Sequence, residues 1–274
     1  MNERSTYGTE QDSVLEARRI TRHFSAVTAL ADASLALERN EVLGLVGDNG
    51  AGKSTLLKIL SGVLPADSGQ IFLEGREVHF RRPHDALEAG IETVYQDLAL
   101  VDTMSAYQNV YLGREELARP WLLRILDLVD DRVMRKRSRE VLDALAVKVP
   151  SIDVSVKGMS GGQRQCLAIA RAILWGRRIV ILDEPTAALG VRESRQVLDV
   201  IKDLRKHDVS VIVVSHNMQQ LMDVADRITV MRLGRTVATR VVKETTVEEI
   251  IGLITGAIGA DADEETRLVT ESAA

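Results

Sequence analysis

The sequence predicts an α/β fold: a core of mainly parallel sheet, an antiparallel β subdomain on its N-terminal side and an inserted α-helical subdomain. Three observations carry the expectation. Residues 42–46, 91–95, 178–182 and 209–214 are short runs dominated by apolar residues, the pattern of strands covered on both faces. Residues 14–20 and 33–37 instead alternate apolar with polar, as half-buried antiparallel strands do. From about residue 97 to 158 the β-type runs stop, and 121–129 and 132–146 place apolar residues at helical spacing with charges between them.

Length and composition set the bounds. At 274 residues, 45% hydrophobic and 27% charged, the chain can bury a large core in one domain with a subdomain set into it. The formal net charge of −5 argues against a general nucleic-acid binder, which needs a positive surplus to displace counterions. The run from Arg132 to Arg139 is basic, and such a run is usually a solvated helix face. One cysteine, Cys166, excludes an internal disulfide and suits a reducing compartment as plain core. The first 20 residues contain no apolar leader, and no stretch approaches the ~18 apolar residues of a membrane span, so a cytoplasmic protein is expected.

The elements follow in order. Residues 1–12 are polar and read as frayed. Phe24 lies between the first two strands, either as a stacking surface for an adenine ring or as a buried loop anchor. The run 42–46 then breaks into Gly47-Asp48-Asn49-Gly50-Ala51-Gly52-Lys53-Ser54, the P-loop spacing G-x-x-x-x-G-K-[ST], with Thr55 next in the helix that restarts. Glycines let such a loop turn its backbone N–H groups inward, and the helix adds its positive end, so a polyphosphate meets donors and favourable potential together. Lys53 would reach the β- and γ-phosphates and Ser54 would bind Mg²⁺. Ser61, Gly62 and Pro65 stop the helical pattern; residues 70–74 and 78–80 read as a small strand pair around Glu74-Gly75, and 83–89 as a short helix closed by Gly90.

Polar residues then recur at the carboxyl ends of the apolar runs, where ligands bind in open α/β sheets. Gln96 ends the run 91–95; its amide can touch both Mg²⁺ and an attacking water, and a strand-end polar cap is the alternative. Asp183 and Glu184 end the run 178–182, the first a partner for Mg²⁺ and the second placed to polarise water. Adjacent carboxylates repel at a buried strand end unless a cation or donor is present. His216 follows the run 209–214 and can donate to a γ-phosphate oxygen. Between these, Ser160-Gly161-Gly162-Gln163 opens a strongly apolar helix to about Leu174. S-x-x-Q is capping-box spacing, yet two glycines are poor helix formers and leave N–H groups open to an anion. Residues 227–241 read as two strands about Gly234, and 256–274 as a small, acidic tail.

Taken together over residues 14–245, the P-loop, Gln96, SGGQ, the Asp183-Glu184 pair and His216 resemble the ATP-binding-cassette (ABC) ATPases. The resemblance implies a P-loop NTPase (RecA-like) core over residues 13–255, with the helical subdomain at about 97–165. It also implies ATP and Mg²⁺ as ligands, and a sandwich homodimer in which the P-loop of one chain and the SGGQ of the other hold one nucleotide. The stretches 92–100, 109–115 and 186–193 look most like monosaccharide importers of the ribose, xylose and fructose type. That implies a permease partner, indirect engagement of a periplasmic binding protein, no nucleic acid, and a place on the cytoplasmic face of a bacterial inner membrane. The sequence departs from the family pattern at Met159, Phe24 and Gly190; the last replaces an aspartate and bears on communication across the dimer. A soluble cassette ATPase acting on ribosomes or DNA, and a non-hydrolysing structural subunit, are the competing classes.

Overall fold

The computed structural model describes residues 13–118, 128–149, 151–175 and 178–259. The expectations for residues 1–12, for most of 121–129 and for the tail beyond 259 lie outside the described residues. Ten strands and eight α-helices are defined among them.

Strands β1 (Ser13–Phe24), β2 (Val27–Glu38), β4 (Ser68–Leu73) and β5 (Arg76–Val78) form an antiparallel sheet in the order β2-β1-β4-β5. The β1–β2 pair runs well past the alternating stretches, with Phe24 opposite Val27 at the tip of the hairpin. The second sheet has the order β10-β9-β3-β8-β7-β6, from β3 (Val42–Gly47), β6 (Ile91–Val94), β7 (Ile179–Asp183), β8 (Ser210–Val214), β9 (Arg227–Arg232) and β10 (Arg235–Val241). All its pairings are parallel except β9–β10. Gly47, Asp183 and Val214 therefore end their strands on one edge, together with the end of β6.

The apolar runs are explained by burial on both faces of this sheet. Val42, Val46, Val180, Leu182, Val211 and Val213 point into one core, while Leu43, Leu45, Ile179, Ile181, Ile212 and Val214 point into the other, alternating at the period of a strand. The first core packs under α3 (Ala106–Tyr111), α4 (Asp131–Ala144), α5 (Gly161–Leu174), α6 (Val191–Leu204), α7 (Met218–Val224) and α8 (Val247–Thr255). The second is filled by α1 (Lys53–Leu60), α2 (Pro83–Glu88) and the antiparallel sheet. Helices α1 and α5 thus lie on opposite faces of the six-stranded sheet.

Cys166 is fully buried in α5, and burial pushes its thiol up to about 12, which leaves it unreactive core. The basic run of α4 is not simply solvated: Arg135 Nε pairs with Asp153 at 2.7 Å and its Nη2 donates to Tyr107 Oη, while Arg137 pairs with Glu116.

Candidate active site

The loop from Gly47 to Gly52 joins β3 to α1. Asp48, Asn49 and Gly50 form its exposed crest, and Ala51 is buried beneath. Gly52 is the N-cap of α1 at φ +100°, where an added Cβ would stand 2.7 Å from both Ala29 O and Leu30 Cδ2, so no side chain fits. The strand β2 and the β9–β10 turn brace the loop from outside: Gly234 N donates to Ala51 O, and Ala31 N donates to Gly234 O. Helix α1 has no side-chain N-cap, so the N–H groups of its first turn, carried by Lys53, Ser54 and Thr55, open at the loop. Lys53 bends back and donates from Nζ to Gly47 O at 2.7 Å and Asp48 O at 3.0 Å.

Across the sheet edge stand the carboxylates. Asp183 ends β7 in register with Val214, and Glu184 follows with φ +51°, its N–H held by Val214 O at 2.9 Å. That left-handed turn aims Glu184 at the end of β8, where His216 Nδ1 lies 2.8 Å from Glu184 Oε2. The contact is close but not aligned as a hydrogen bond: Oε2 is shielded from solvent and has no hydrogen-bond donor. Burial and then the Glu184 charge push the Asp183 carboxyl above its ordinary range, against the pull of Lys53 and Lys58. Burial pulls the Lys53 ammonium down, while Glu184, Asp48 and Asp183 hold it up. An undersatisfied buried carboxylate oxygen beside a second half-buried carboxylate, facing the hydroxyl-bearing start of α1, is a donor set that fits a hard divalent cation. Asp183 and Ser54 would hold it.

The other expected residues fall as follows. Gln96 is exposed beyond the end of β6, with β8 and β7 between its strand and β3, and it forms no hydrogen bond with Lys53, Ser54 or Asp183. Phe24 is 41% exposed, which rules out the buried-anchor alternative; the Arg22 guanidinium stands 5.2 Å over its ring. Arg22 and His23 are fixed by Asp67, through Arg22 Nη1 to Oδ1 at 2.6 Å and His23 N to Oδ2 at 2.7 Å. Ser160 and Gln163 do form a capping box: Gln163 N donates to Ser160 Oγ at 3.4 Å and Ser160 N to Gln163 Oε1 at 3.0 Å.

Sequence reasoning missed three residues. Arg171 on α5 donates to Leu98 O and Ala99 O, both at 3.1 Å, tying the helix opened by SGGQ to the loop after Gln96. An arginine within an apolar helical pattern was its only signal. Gln220 accepts from Thr186 Oγ1 at 2.6 Å, which joins the segment after Glu184 to α7. Glu193 packs on Gly162, where an added Cβ would be 2.9 Å from Glu193 Cβ.

The family described as "ABC transporter" matches residues 30–187. The chain is 43% identical over 249 residues to the fructose import ATP-binding protein FrcA of Rhizobium meliloti, covering 90% of this chain and 95% of that protein. It is 42% identical over 242 residues to the xylose/arabinose import ATP-binding protein XylG of Sulfolobus acidocaldarius, covering 88% and 94%. It is 36% identical over 245 residues to the ribose import ATP-binding protein RbsA of Hahella chejuensis, covering 89% of this chain but 48% of that protein, so it spans about half of that relative. A solved nucleotide-free ATP-binding cassette from an ABC transporter shares the fold with a TM-score of 0.75 at 21% identity, covering 89% of this chain and 95% of that one. The matched segment holds the P-loop, the SGGQ helix and both carboxylates in one frame, and on that ground the chain belongs to the ABC transporter family.

Proposed function

We propose that this chain is the ATP-hydrolysing subunit of a monosaccharide importer, working as a head-to-tail homodimer against a membrane permease. The observation that carries the dimer is the placement of α1 and α5 on opposite faces of the six-stranded sheet. A single chain does not turn both helix starts onto one phosphate tail, whereas two chains related by a two-fold axis form two equivalent sites. A solved bacterial ABC transporter cassette with the same fold, TM-score 0.69 at 22% identity, is itself described as dimeric. The likeness to fructose, xylose/arabinose and ribose import proteins supports a monosaccharide as cargo.

In this reading Lys53 leaves Gly47 O and Asp48 O for the terminal phosphates, and the first-turn N–H groups of α1 take the remaining oxygens. Ser54 and Asp183, joined by Gln96 from the end of β6, would hold a Mg²⁺, which would supply neutralisation of the developing charge. Glu184 orients and polarises the attacking water, His216 donates to a γ-phosphate oxygen, Phe24 stacks on the base, and Ser160–Gln163 of the other chain close the site. Charge-assisted hydrogen bonds contribute about 1.5–3 kcal/mol each, so three or four per nucleotide reach the ~5.5 kcal/mol that swings a two-state equilibrium. Closure then moves a permease docked on the helical subdomain, about residues 97–165 of a cassette that runs from 13 to 255. No helix among the described residues is long and apolar enough to cross a membrane. In this reading the translocation path belongs to the permease, with a periplasmic binding protein delivering the sugar. The place of this subunit is the cytoplasmic face of the inner membrane.

The test is reconstitution. The tagged chain, co-expressed with a candidate sugar permease, is purified from detergent-solubilised membranes and placed in liposomes. ATP hydrolysis should rise when the binding protein loaded with ribose, xylose or fructose is added. Retrieval of ribosomes or DNA instead of a membrane protein, or hydrolysis indifferent to every sugar-loaded binding protein, sinks the proposal.

A further inference from the structure

The segment after Glu184 returns across the start of α5. Leu189 covers Gly161, where an added Cβ would stand 2.7 Å from Leu189 Cδ2, and Glu193 covers Gly162 with its Cβ, Cα and Cγ at 2.9, 3.3 and 3.4 Å from such an atom. Gly162 is therefore held to glycine by close packing on the Cβ and Cα of Glu193 within the separate chain, whereas the end of the Leu189 side chain can yield at Gly161. The carboxylate of Glu193 turns back over the same helix start. Its Oε2 accepts the Gly190 N–H at 3.3 Å and lies 4.0 Å from the Cβ position of Gly161. The Ser160 hydroxyl, then the Gly190 and Gly162 N–H groups, draw the Glu193 carboxyl below the usual carboxylate range, and of these the Gly190 N–H is aligned as a hydrogen bond.

A helix start attracts an anion, and here the chain supplies its own. Ser160 has one hydroxyl proton, which serves one acceptor at a time. In the head-to-tail arrangement proposed above, the γ-phosphate on the partner's P-loop needs that proton and the Gly162 N–H.

We infer that Glu193 is an internal stand-in for the incoming phosphate: in the separate chain its carboxylate lies over the SGGQ helix start beside Ser160 and Gly162, and it must draw back before the partner's nucleotide can dock. Glu193 thereby sets the ATP concentration at which two chains close, acting through Ser160 as a positioning residue. The inference rests on the head-to-tail reading. It differs in sign from a purely structural role, in which Glu193 only caps the first turn of α6 and its neutralisation weakens the fold or changes nothing.

The experiment uses the full chain carrying Glu184→Gln, which should retain closed dimers, and titrates ATP–Mg²⁺ while closure is followed by light scattering. Adding Glu193→Gln, which keeps the shape and removes the charge, should lower the ATP midpoint by about two- to fivefold, the span of one charge at a helix terminus. Glu193→Ala should lower it as well, with thermal melting run beside it to confirm folding. Nucleotide affinity of the separate chain, measured in a Ser160→Arg background that blocks closure, should stay unchanged in both, because Glu193 does not touch its own P-loop. A midpoint that is unchanged or raised in Glu193→Gln, or a matching change in the affinity of the separate chain, overturns the inference. If the Glu184→Gln parent never closes at any ATP concentration, the head-to-tail reading has failed, and this inference falls with it.

Discussion

His216 Nδ1 stands 2.8 Å from Glu184 Oε2, bridging the ends of β8 and β7 at the edge where the P-loop opens. Glu184 reaches that position through a left-handed backbone, φ +51°, which costs an ordinary residue about 1–2 kcal/mol and persists here because Val214 O holds its N–H.

In the proposed cycle Glu184 serves hydrolysis rather than binding. Glu184→Gln should reduce ATP turnover by about 10²-fold or more, the usual worth of a positioned general base, while ATP binding and ATP-driven dimerisation persist. His216→Ala should slow turnover too. The double variant should fall little further than the worse single one, since groups that act as a unit are non-additive. Turnover is read by phosphate release at saturating ATP. Full additivity of the two losses would separate the residues into independent roles, and a Glu184→Gln chain that stays monomeric with ATP would break the cycle as drawn.

The sheet and the polar residues that end its strands were legible because burial on both faces leaves little latitude in composition: runs such as 179–182 and 211–214 are apolar throughout and stop at a polar residue. The hairpin tip was not legible. Ser25 adopts φ +50° with Ala26 beside it, and neither is a turn-forming glycine, asparagine or aspartate, so nothing marks where β1 ends. Helix α6 escaped for a similar reason, since its N-cap is Gly190, which offers no side-chain cap. The contact of Glu193 with the SGGQ start joins residues 31 positions apart through packing that no local pattern encodes. Gln96 was read as a site residue from its place at a strand end and Phe24 as an aromatic between the first two strands, and contact of either with a ligand belongs to the closed state.

A pH effect on stability should come from the far edge of the sheet. Glu41 is 5% exposed; burial raises its carboxyl to about 7, outweighing the Glu38 N–H and Arg227 Nη1 that favour its charge. A carboxyl raised in the folded state keeps its proton after the unfolded chain has lost it. Its stabilising contribution is thus complete below the ordinary value of 4.5 and is lost as pH rises towards about 7. Glu41→Gln lacks this titration. In denaturant melts from pH 4.5 to 8, the stability of the variant relative to the parent should climb through that window, by no more than about 1.4 kcal/mol per pH unit, and level off above it. A difference that stays flat, or that climbs as pH falls, would contradict the burial argument.

Ownership of the site is tested most directly with two chains that each lack half of it. Lys53→Ala removes the cation whose Nζ now rests on Gly47 O and Asp48 O, and should nearly abolish hydrolysis by itself while weakening ATP binding. Ser160→Arg places a bulky side chain over the exposed start of α5 and leaves the P-loop on the other sheet face untouched. Each homodimer then has two damaged sites. A mixed dimer has one site carrying both lesions and one carrying neither, provided that every site is built from the P-loop of one chain and the SGGQ of the other. Mixing the two variants should therefore restore ATP-driven closure above either parent at equal total concentration, scored by crosslinking with and without ATP–Mg²⁺. Hydrolysis is the less direct readout, because Gly190 stands where cross-dimer communication between the two sites is expected. If mixed dimers form and closure never exceeds that of the parents, both motifs serve one chain, and the head-to-tail arrangement is wrong.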